Sequence, residues 1–324
     1  MRGRSQLWLI LALSTTFVAA GQAPTAPLSP TGIRLEPLAP TAEQSARIRR
    51  ADEALASQPR NVDLLIQAAL AREDVWRYVE AAELYGRAID ADPDDYRPYL
   101  GRAHRILRLR QFDRALADLN RAAELDPYGF NTAYLRGLVL YLRGEFGRAA
   151  DEYGRCMALA GDPKALALAK QGRVPGDPRH CMLVATDDPT RVAITAWRYR
   201  ALRRAGRNDE AAMLLGTIQD GLTIPSQPDT RAYASSVIKP DDNTHYYLLL
   251  LFYRGLRTEA ELLDRQKFGA QWSTAAYGVA VWHLVEGRRD RGLALLREIV
   301  AEPYWARLGH VAAETDLVRL GGEP

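Results

Sequence analysis

The phrase Ala88-Ile-Asp-Ala-Asp-Pro93 returns as Ala122-Ala-Glu-Leu-Asp-Pro127, and this repetition decides the fold. The two closing prolines are 34 residues apart, and Pro59 precedes them by the same interval. A third phrase, Cys156-Met-Ala-Leu-Ala-Gly161-Asp-Pro163, continues the series with its proline two residues late. Because an α-helix does not continue through proline, each proline predicts a turn between repeats.

Two amphipathic helices are predicted inside each period. Small residues at fixed places let antiparallel helices approach closely, and large residues fill the space beside them. A single pair of this size cannot bury its apolar face alone, so we expect neighbouring pairs to stack. The recurring positions are Ala81, Ala115 and Ala149, then Tyr85, Leu119 and Tyr153, then Ala88, Ala122 and Cys156.

Composition narrows the function classes. Apolar residues make up 47% of the 324 residues, which is enough for a packed interior and excludes wholesale disorder. The 43 basic and 40 acidic residues leave a formal charge of +3. A nucleic-acid binder needs a net basic face, so this balance predicts no nucleic-acid partner.

Together, the period, the small residues and the closing proline resemble the tetratricopeptide repeat (TPR) family. The third repeat matches best, through Gly137, Gly144, Phe146, Ala149 and Tyr153. The resemblance implies an all-α, TPR-like α-solenoid of antiparallel helix pairs, with three regular repeats over residues 62–161.

We predict five segments along the chain. A helix at 41–57 precedes the three repeats, so the regular part spans 41–161, and an irregular connection follows at 162–190. Residues 191–324 form looser TPR-like pairs around Gly206, Gly255 and Gly287, closed by a capping helix at 305–320.

The first forty residues form the other two predicted segments. Residues 1–20 have a basic start at Arg2 and Arg4, an apolar run and a Val-Ala-Ala end, which is typical of a signal peptide cut after Ala20. An uncleaved anchor is the alternative. Residues 21–40 carry five prolines and predict an extended, disordered linker. We therefore expect a periplasmic or secreted protein with no integral membrane span.

The layout also resembles NlpI-type periplasmic lipoproteins, mainly in spacing and over most of the mature chain. That resemblance implies an adaptor that brings a periplasmic protease to a cell-wall hydrolase. This chain lacks the cysteine to which a lipid would be attached, so membrane attachment does not carry over.

If the repeats stack as in the family, the first helix of each lines a concave groove for a protein or peptide partner. Tyr and Arg are enriched at binding hot spots, and mixed apolar and charged positions suit an amphipathic segment. The alternative is that these residues contact an interior helix of the same chain. The candidate positions are Ile66, Leu70, Arg97, Leu100, His104, Arg108, Asn131, Tyr134, Leu138 and Tyr141.

The two cysteines have two interpretations. Cys156 falls where the repeat requires a small buried residue, and Cys181 lies in the irregular connection. An exported protein favours a disulfide between them, and two separate thiols are the alternative.

No catalytic or cofactor motif is recognisable, so we predict neither an enzyme, nor a metal site, nor a cofactor. The pairs His283 with Glu286 and His310 with Glu314 each lack an evident third ligand. Two alternatives to the adaptor remain. One is an enzyme site near His180 in segment 162–190. The other is a carbohydrate or peptidoglycan module built on C-terminal aromatic residues, which would otherwise be core or support a homodimer: Trp272, Tyr277, Trp282, Tyr304 and Trp305.

Overall fold

The computed structural model of the chain describes residues 26–160, 162–164, 167, 180–182, 188–218 and 244–321. Nearly all regular structure in these ranges is helical, and two isolated β-bridges accompany the helices. The all-α fold class is therefore confirmed. The signal peptide and most of segment 162–190 lie outside the described residues.

Most of the helices form pairs whose two members are joined by a short turn. In chain order they are α1 (Ala42–Ser57), α2 (Val62–Glu73), α3 (Tyr78–Ala91), α4 (Tyr96–Arg108), α5 (Phe112–Leu125), α6 (Phe130–Leu142), α7 (Phe146–Ala160), α8 (Asp188–Arg204), α9 (Asn208–Gly216), α10 (Thr244–Tyr253), α11 (Glu259–Leu262), α12 (Arg265–Phe268), α13 (Trp272–Val285), α14 (Arg289–Val300) and α15 (Leu308–Arg319).

Local sequence explains where the helices begin and end. Thr41 and Gln44 form a reciprocal capping box at the start of α1. The Asp95 side chain accepts a backbone hydrogen bond at the start of α4. Helices α3 and α5 end two residues before Pro93 and Pro127, as the repeated phrase predicts.

The turn inside each regular repeat requires one residue with a left-handed backbone. These residues are Trp76 (φ 59°), Arg110 (φ 61°) and Gly144 (φ 85°), which are spaced by 34 residues. Only the third repeat has the glycine that adopts this conformation without steric cost. The first two repeats carry large side chains there, and both side chains contact the C-terminal part of the chain.

The predicted stacking of helix pairs is present. Ala81, Ala115 and Ala149 are fully buried where paired helices meet. A Cβ atom added to Gly137 of α6 would lie 2.4 Å from the ring of Tyr153 on α7, so the two helices pack in direct contact. Small residues opposite large ones therefore set the helix spacing.

Helix α15 contacts both the last helix pair and the third repeat. It packs against α13 and α14, as a capping helix does, and it also contacts α6 of the third repeat. His310, Val311 and Ala313 are fully buried as a result. The second half of the chain thus folds back onto the inner side of the first half.

The prediction of an extended linker at 21–40 is wrong for residues 26–40. Leu28 and Arg34 form a β-bridge around a turn, and Leu35 is 2% exposed. Leu35 packs in a cluster with Tyr78 and Trp305, and the Trp305 indole N–H donates a 2.9 Å hydrogen bond to the Glu36 carbonyl. Prolines prevent a helix here, but they do not prevent an irregular segment from burying an apolar side chain.

Among the described helices, none is both long enough and apolar enough to span a bilayer.

Candidate partner-binding surface

Helices α2, α4 and α6 carry the ten predicted groove positions. Helix α4 contacts both α2 and α6, so the three helices lie side by side as the solenoid requires. The ten side chains nevertheless differ strongly in their exposure to solvent.

The four positions on α6 are not a groove surface. Asn131, Tyr134, Leu138 and Tyr141 are between 0% and 2% exposed. The Tyr134 hydroxyl lies 3.2 Å from the hydroxyl of Tyr246 on α10. The prediction that these residues bind a partner is therefore wrong for this structure, because helices from the second half of the chain occupy the inner side of α6.

Two of the positions on α4 are also enclosed. Leu100 is 5% exposed and His104 is 2% exposed. Burial and the neighbouring charges of Arg105 and Arg108 hold the pKa of His104 well below its usual value. His104 is therefore a neutral core residue at physiological pH, not a contact for a partner.

The accessible part of the predicted groove lies on α2 and at the two ends of α4. Ile66 and Leu70 are half-buried, which leaves an apolar strip on α2 partly open to solvent. Arg97 is exposed, but its guanidinium lies 2.8 Å from Asp63 and 2.6 Å from Asp95. Arg97 is thus already neutralised by two carboxylates.

Arg108, at the end of α4, differs from Arg97 in its ion pairing. It is half-buried, and its Nη1 donates a long 3.3 Å hydrogen bond to the His104 carbonyl. No carboxylate pairs with it within the described ranges, whereas Arg105 on the same helix lies 2.6 Å from Glu73. Burial lowers the pKa of Arg108 to about 10, so it remains charged at neutral pH.

A second cation lies close to Arg108. The charge of Arg307, at the start of α15, contributes to the lowered pKa of Arg108. Arg307 is half-buried, and its Nε has no hydrogen-bond partner in the described structure. Sequence reasoning missed Arg307, because only folding brings Arg108 and Arg307, which are 199 positions apart, together.

The two cysteines are joined by a disulfide in this structure. It attaches residues 180–182 to α7, and the Cys181 amide donates a 2.8 Å hydrogen bond to the Tyr128 carbonyl. His180 pairs with Gly129 in an isolated β-bridge. Cys181 therefore has no free thiol to serve as a nucleophile beside His180.

The C-terminal aromatic residues are mostly core. Trp272, Tyr277 and Trp305 are at most 4% exposed. Trp282 lies between the Phe252 ring, with centroids 4.7 Å apart, and the Arg288 guanidinium at 3.8 Å. Tyr304 is 43% exposed, but the other four side chains form neither an open aromatic floor for sugar nor an aromatic face for self-association.

The two His–Glu pairs of the sequence analysis do not form. His283 contacts Glu259 at 2.8 Å, while Glu286 pairs with Arg203. Glu314 binds Arg110. Burial lowers the pKa of His310 to about 4, so it is neutral at pH 7.

Comparison with known proteins gives relatives that match a short stretch of the chain. No family model matches the chain. Over 94 residues it is 39% identical to the Protein SGT1 homolog of Oryza sativa subsp. japonica, covering 28% of this chain and 25% of that protein. Over 92 residues it is 30% identical to the tetratricopeptide repeat and J domain-containing co-chaperone DNJ1 of Cryptococcus neoformans var. grubii, covering 28% and 18%. The chain thus spans a quarter or less of the length of these relatives.

Solved structures that align with the chain include two TPR proteins. YrrB, described as a TPR protein with an unusual peptide-binding site, aligns with 83% of this chain and 98% of its own at 13% identity and a TM-score of 0.40. The TPR domain of P58(IPK) aligns with 87% and 96% at 13% identity and a TM-score of 0.19.

Proposed function

We propose that this tetratricopeptide-repeat chain is an exported adaptor that holds a partner protein by a peptide segment. The observation that carries the proposal is that four residues, Ile66, Leu70, Arg108 and Arg307, remain partly exposed to solvent; we call them the α2–α4 surface. It combines a half-buried apolar strip with two cations that form no ion pair among the described residues.

The chemistry of this surface favours an amphipathic segment with an acidic residue. Apolar side chains of a partner would cover Ile66 and Leu70, in the manner of a helix or strand lying in a shallow groove. A carboxylate of the partner would neutralise Arg108 and Arg307, and charge-assisted bonds to a guanidinium are stronger than neutral ones. The pair would also steer an acidic partner to the surface.

Export rests on the sequence of residues 1–20 and has one supporting observation. A buried disulfide between Cys156 and Cys181 suits an oxidising compartment such as the periplasm. As a finer part of the same proposal, the resemblance to NlpI-type proteins suggests that the partners are a periplasmic protease and a cell-wall hydrolase.

Affinity capture with matched variants tests the proposal. The tagged full chain would be expressed in its own host, and its partners would be identified by mass spectrometry of the cell-envelope fraction. We expect Ile66→Asp/Leu70→Asp and, separately, Arg108→Glu to lose at least nine-tenths of the principal partner. Met213→Asp on α9 is the control, since Met213 is a 68% exposed apolar side chain outside the α2–α4 surface.

Circular dichroism would verify that all variants remain helical. Equal capture by the wild type and the two surface variants would refute the α2–α4 surface. Recovery of the chain only from the cytosol, with residues 1–20 still attached, would refute export.

A further inference from the structure

Helix α8 carries a buried cation that forms no ion pair within the described part of the chain. Arg200 of α8 is 1% exposed. Its Nε donates a 3.2 Å hydrogen bond to the Ala196 carbonyl, but Nη1 and Nη2 have no hydrogen-bond partner in the described part of the chain. An arginine guanidinium is always charged and carries five N–H donors, so two of its nitrogens are left unsatisfied.

The aromatic rings around Arg200 interact only with the flat face of its guanidinium. Its central carbon lies 3.9 Å from the centroid of the Trp197 ring and 5.8 Å from the centroids of Tyr246 and Tyr277. A cation–π contact uses the flat face of the guanidinium. The N–H bonds of Nη1 and Nη2 point outward in the guanidinium plane, and stacked rings do not accept them.

Arg204 lies one helical turn further along α8 and has the ion pair that Arg200 lacks. The Nη1 of Arg204 lies 2.6 Å from Asp316, and Arg204 is likewise shielded from solvent. No ion pair is formed by Arg200 in the described residues, and the groups with the strongest charge effects on it are tyrosines, including Tyr253 and Tyr141. Burying an unpaired charge costs several kcal/mol, which is about the full stability of a small domain.

The two helices α7 and α10, which pack against α8, each carry a buried polar atom with no hydrogen-bond partner in the described structure. These atoms are the Tyr153 hydroxyl and the Nε2 of His245, on side chains that are 0% and 2% exposed. Burial lowers the pKa of His245 to about 3, with a further contribution from the Arg200 charge. Burial raises the pKa of Tyr153 well above its usual value, and Arg200 opposes that rise. Both groups are therefore neutral and able to donate a hydrogen bond.

We propose that the Nη1 and Nη2 atoms of Arg200 bind a small monovalent anion, chloride in the cell. One negative charge neutralises the one unpaired positive charge, and the N–H bonds of Nη1 and Nη2 suit a halide. Because Arg200 is almost fully enclosed, the ligand is a small ion and not a carboxylate of a partner peptide.

Thermal unfolding in defined salts tests this anion site. Chloride would be replaced stepwise by gluconate, which is too large for an enclosed site, at constant ionic strength and pH. A ligand that binds only the folded state raises stability with its concentration, so we expect Tm of the wild type to rise with each tenfold increase in chloride. Bromide should substitute for chloride.

Two variants separate the site from general salt effects. Arg200→Met removes the cation, and we expect it to lose the chloride dependence of Tm. Arg204→Met is the matched control: it removes a buried arginine of the same helix that has its own carboxylate, so we expect a lower Tm with the chloride dependence retained. A chloride dependence that persists in Arg200→Met would overturn the proposal.

Crystallography gives a test that does not require Arg200→Met to fold. Wild-type crystals soaked in bromide should show an anomalous peak within hydrogen-bonding distance of Nη1 and Nη2 of Arg200. A soaked crystal without that peak, or one with bromide only at other positions, would refute the site.

Discussion

At the scale of single residues, Arg110 and Glu314 form the ion pair that connects the second repeat to the last helix. Their side chains are 3% and 1% exposed, and the Arg110 Nη2 lies 2.6 Å from Glu314. The Thr31 hydroxyl also donates to this carboxylate. Arg110 has a left-handed backbone (φ 61°), so its conformation carries a steric cost that these contacts offset.

Replacing Glu314 by Gln should be strongly destabilising. It leaves the Arg110 charge buried without a partner, and the expected loss is about 3–5 kcal/mol in the free energy of unfolding. Glu298→Gln is the control, because Glu298 pairs with Arg265 at 2.9 Å but both side chains are nearly half exposed. We expect that change to cost under about 1 kcal/mol in chemical denaturation. Similar losses for the two variants would contradict this account of the buried pair.

Glu314 should also make the stability of the chain depend on pH. Burial opposes ionisation of Glu314, but Arg110 and the hydroxyls of Ser29 and Thr31 outweigh it, so the net effect lowers its pKa below the usual value. Its contribution to stability is therefore complete above the pKa of the unfolded chain, about 4.3, and is lost as the pH falls through the lower folded value. The free energy of unfolding of the wild type should fall more steeply below pH 5 than that of Glu314→Gln. Parallel pH profiles would show that Glu314 does not contribute in this range.

At the scale of helices, α6 and α7 are held at their spacing by Gly137 opposite Tyr153. A methyl group at position 137 would lie 2.4 Å from the tyrosine ring, and Tyr153 is fully buried. The absence of a side chain at position 137 therefore sets the distance between α6 and α7.

Gly137→Ala should therefore destabilise the chain by about 1–3 kcal/mol through overpacking. Gly147→Ala is the matched control in the neighbouring helix, since nothing lies within 4 Å of the added methyl group. Alanine is the better helix former, so we expect Gly147→Ala to be neutral or to stabilise by about 0.5–1 kcal/mol. Urea unfolding would measure both, and opposite signs are the expected result.

The disulfide joins α7 to the segment at residues 180–182. It closes a separation of 25 residues between α7 and the 180–182 segment, which restricts the unfolded chain. Cys181→Ala should lower the free energy of unfolding by about 3 kcal/mol. Reductant should destabilise the wild type by a similar amount and leave the variant unchanged. Thiol labelling of the denatured, unreduced wild type should find no thiol; two labelled cysteines there would contradict the bond.

At the scale of the whole molecule, the N-terminal segment joins the beginning of the fold to its end. The indole of Trp305 binds the Glu36 carbonyl across 269 residues of sequence. The Trp305 ring also meets Trp76 edge to face, with centroids 5.4 Å apart. Leu35 packs into the same cluster, so these residues close the solenoid on itself.

Leu35→Ala should weaken this closure. Truncating a side chain that is 2% exposed leaves a cavity and is expected to cost about 2–4 kcal/mol, with a red shift of tryptophan fluorescence as water reaches Trp305. Leu28→Ala on the same segment is the control, since Leu28 is 62% exposed. We expect Leu28→Ala to change stability by less than about 0.5 kcal/mol. Equal effects of the two changes would mean that the segment does not hold the closure.

The sequence by itself determined the helix pairs. The 34-residue period, the prolines that end α3 and α5 and the small residues of each pair act within one or two turns of helix, so their effect is visible in a local pattern. The glycine turns at Gly206, Gly255 and Gly287 were predicted for the same reason, and all three have positive φ values.

Only the tertiary structure decided which faces of those helices remain open. A groove position and a core position have the same local pattern, because both are apolar or aromatic residues on the inner side of a first helix. Tyr134 became core when α10 placed Tyr246 against it, whereas Ile66 remained half-open. Burial depends on segments that are distant in sequence. Removal of apolar surface from water brings these segments together, and this driving force does not depend on their positions along the chain.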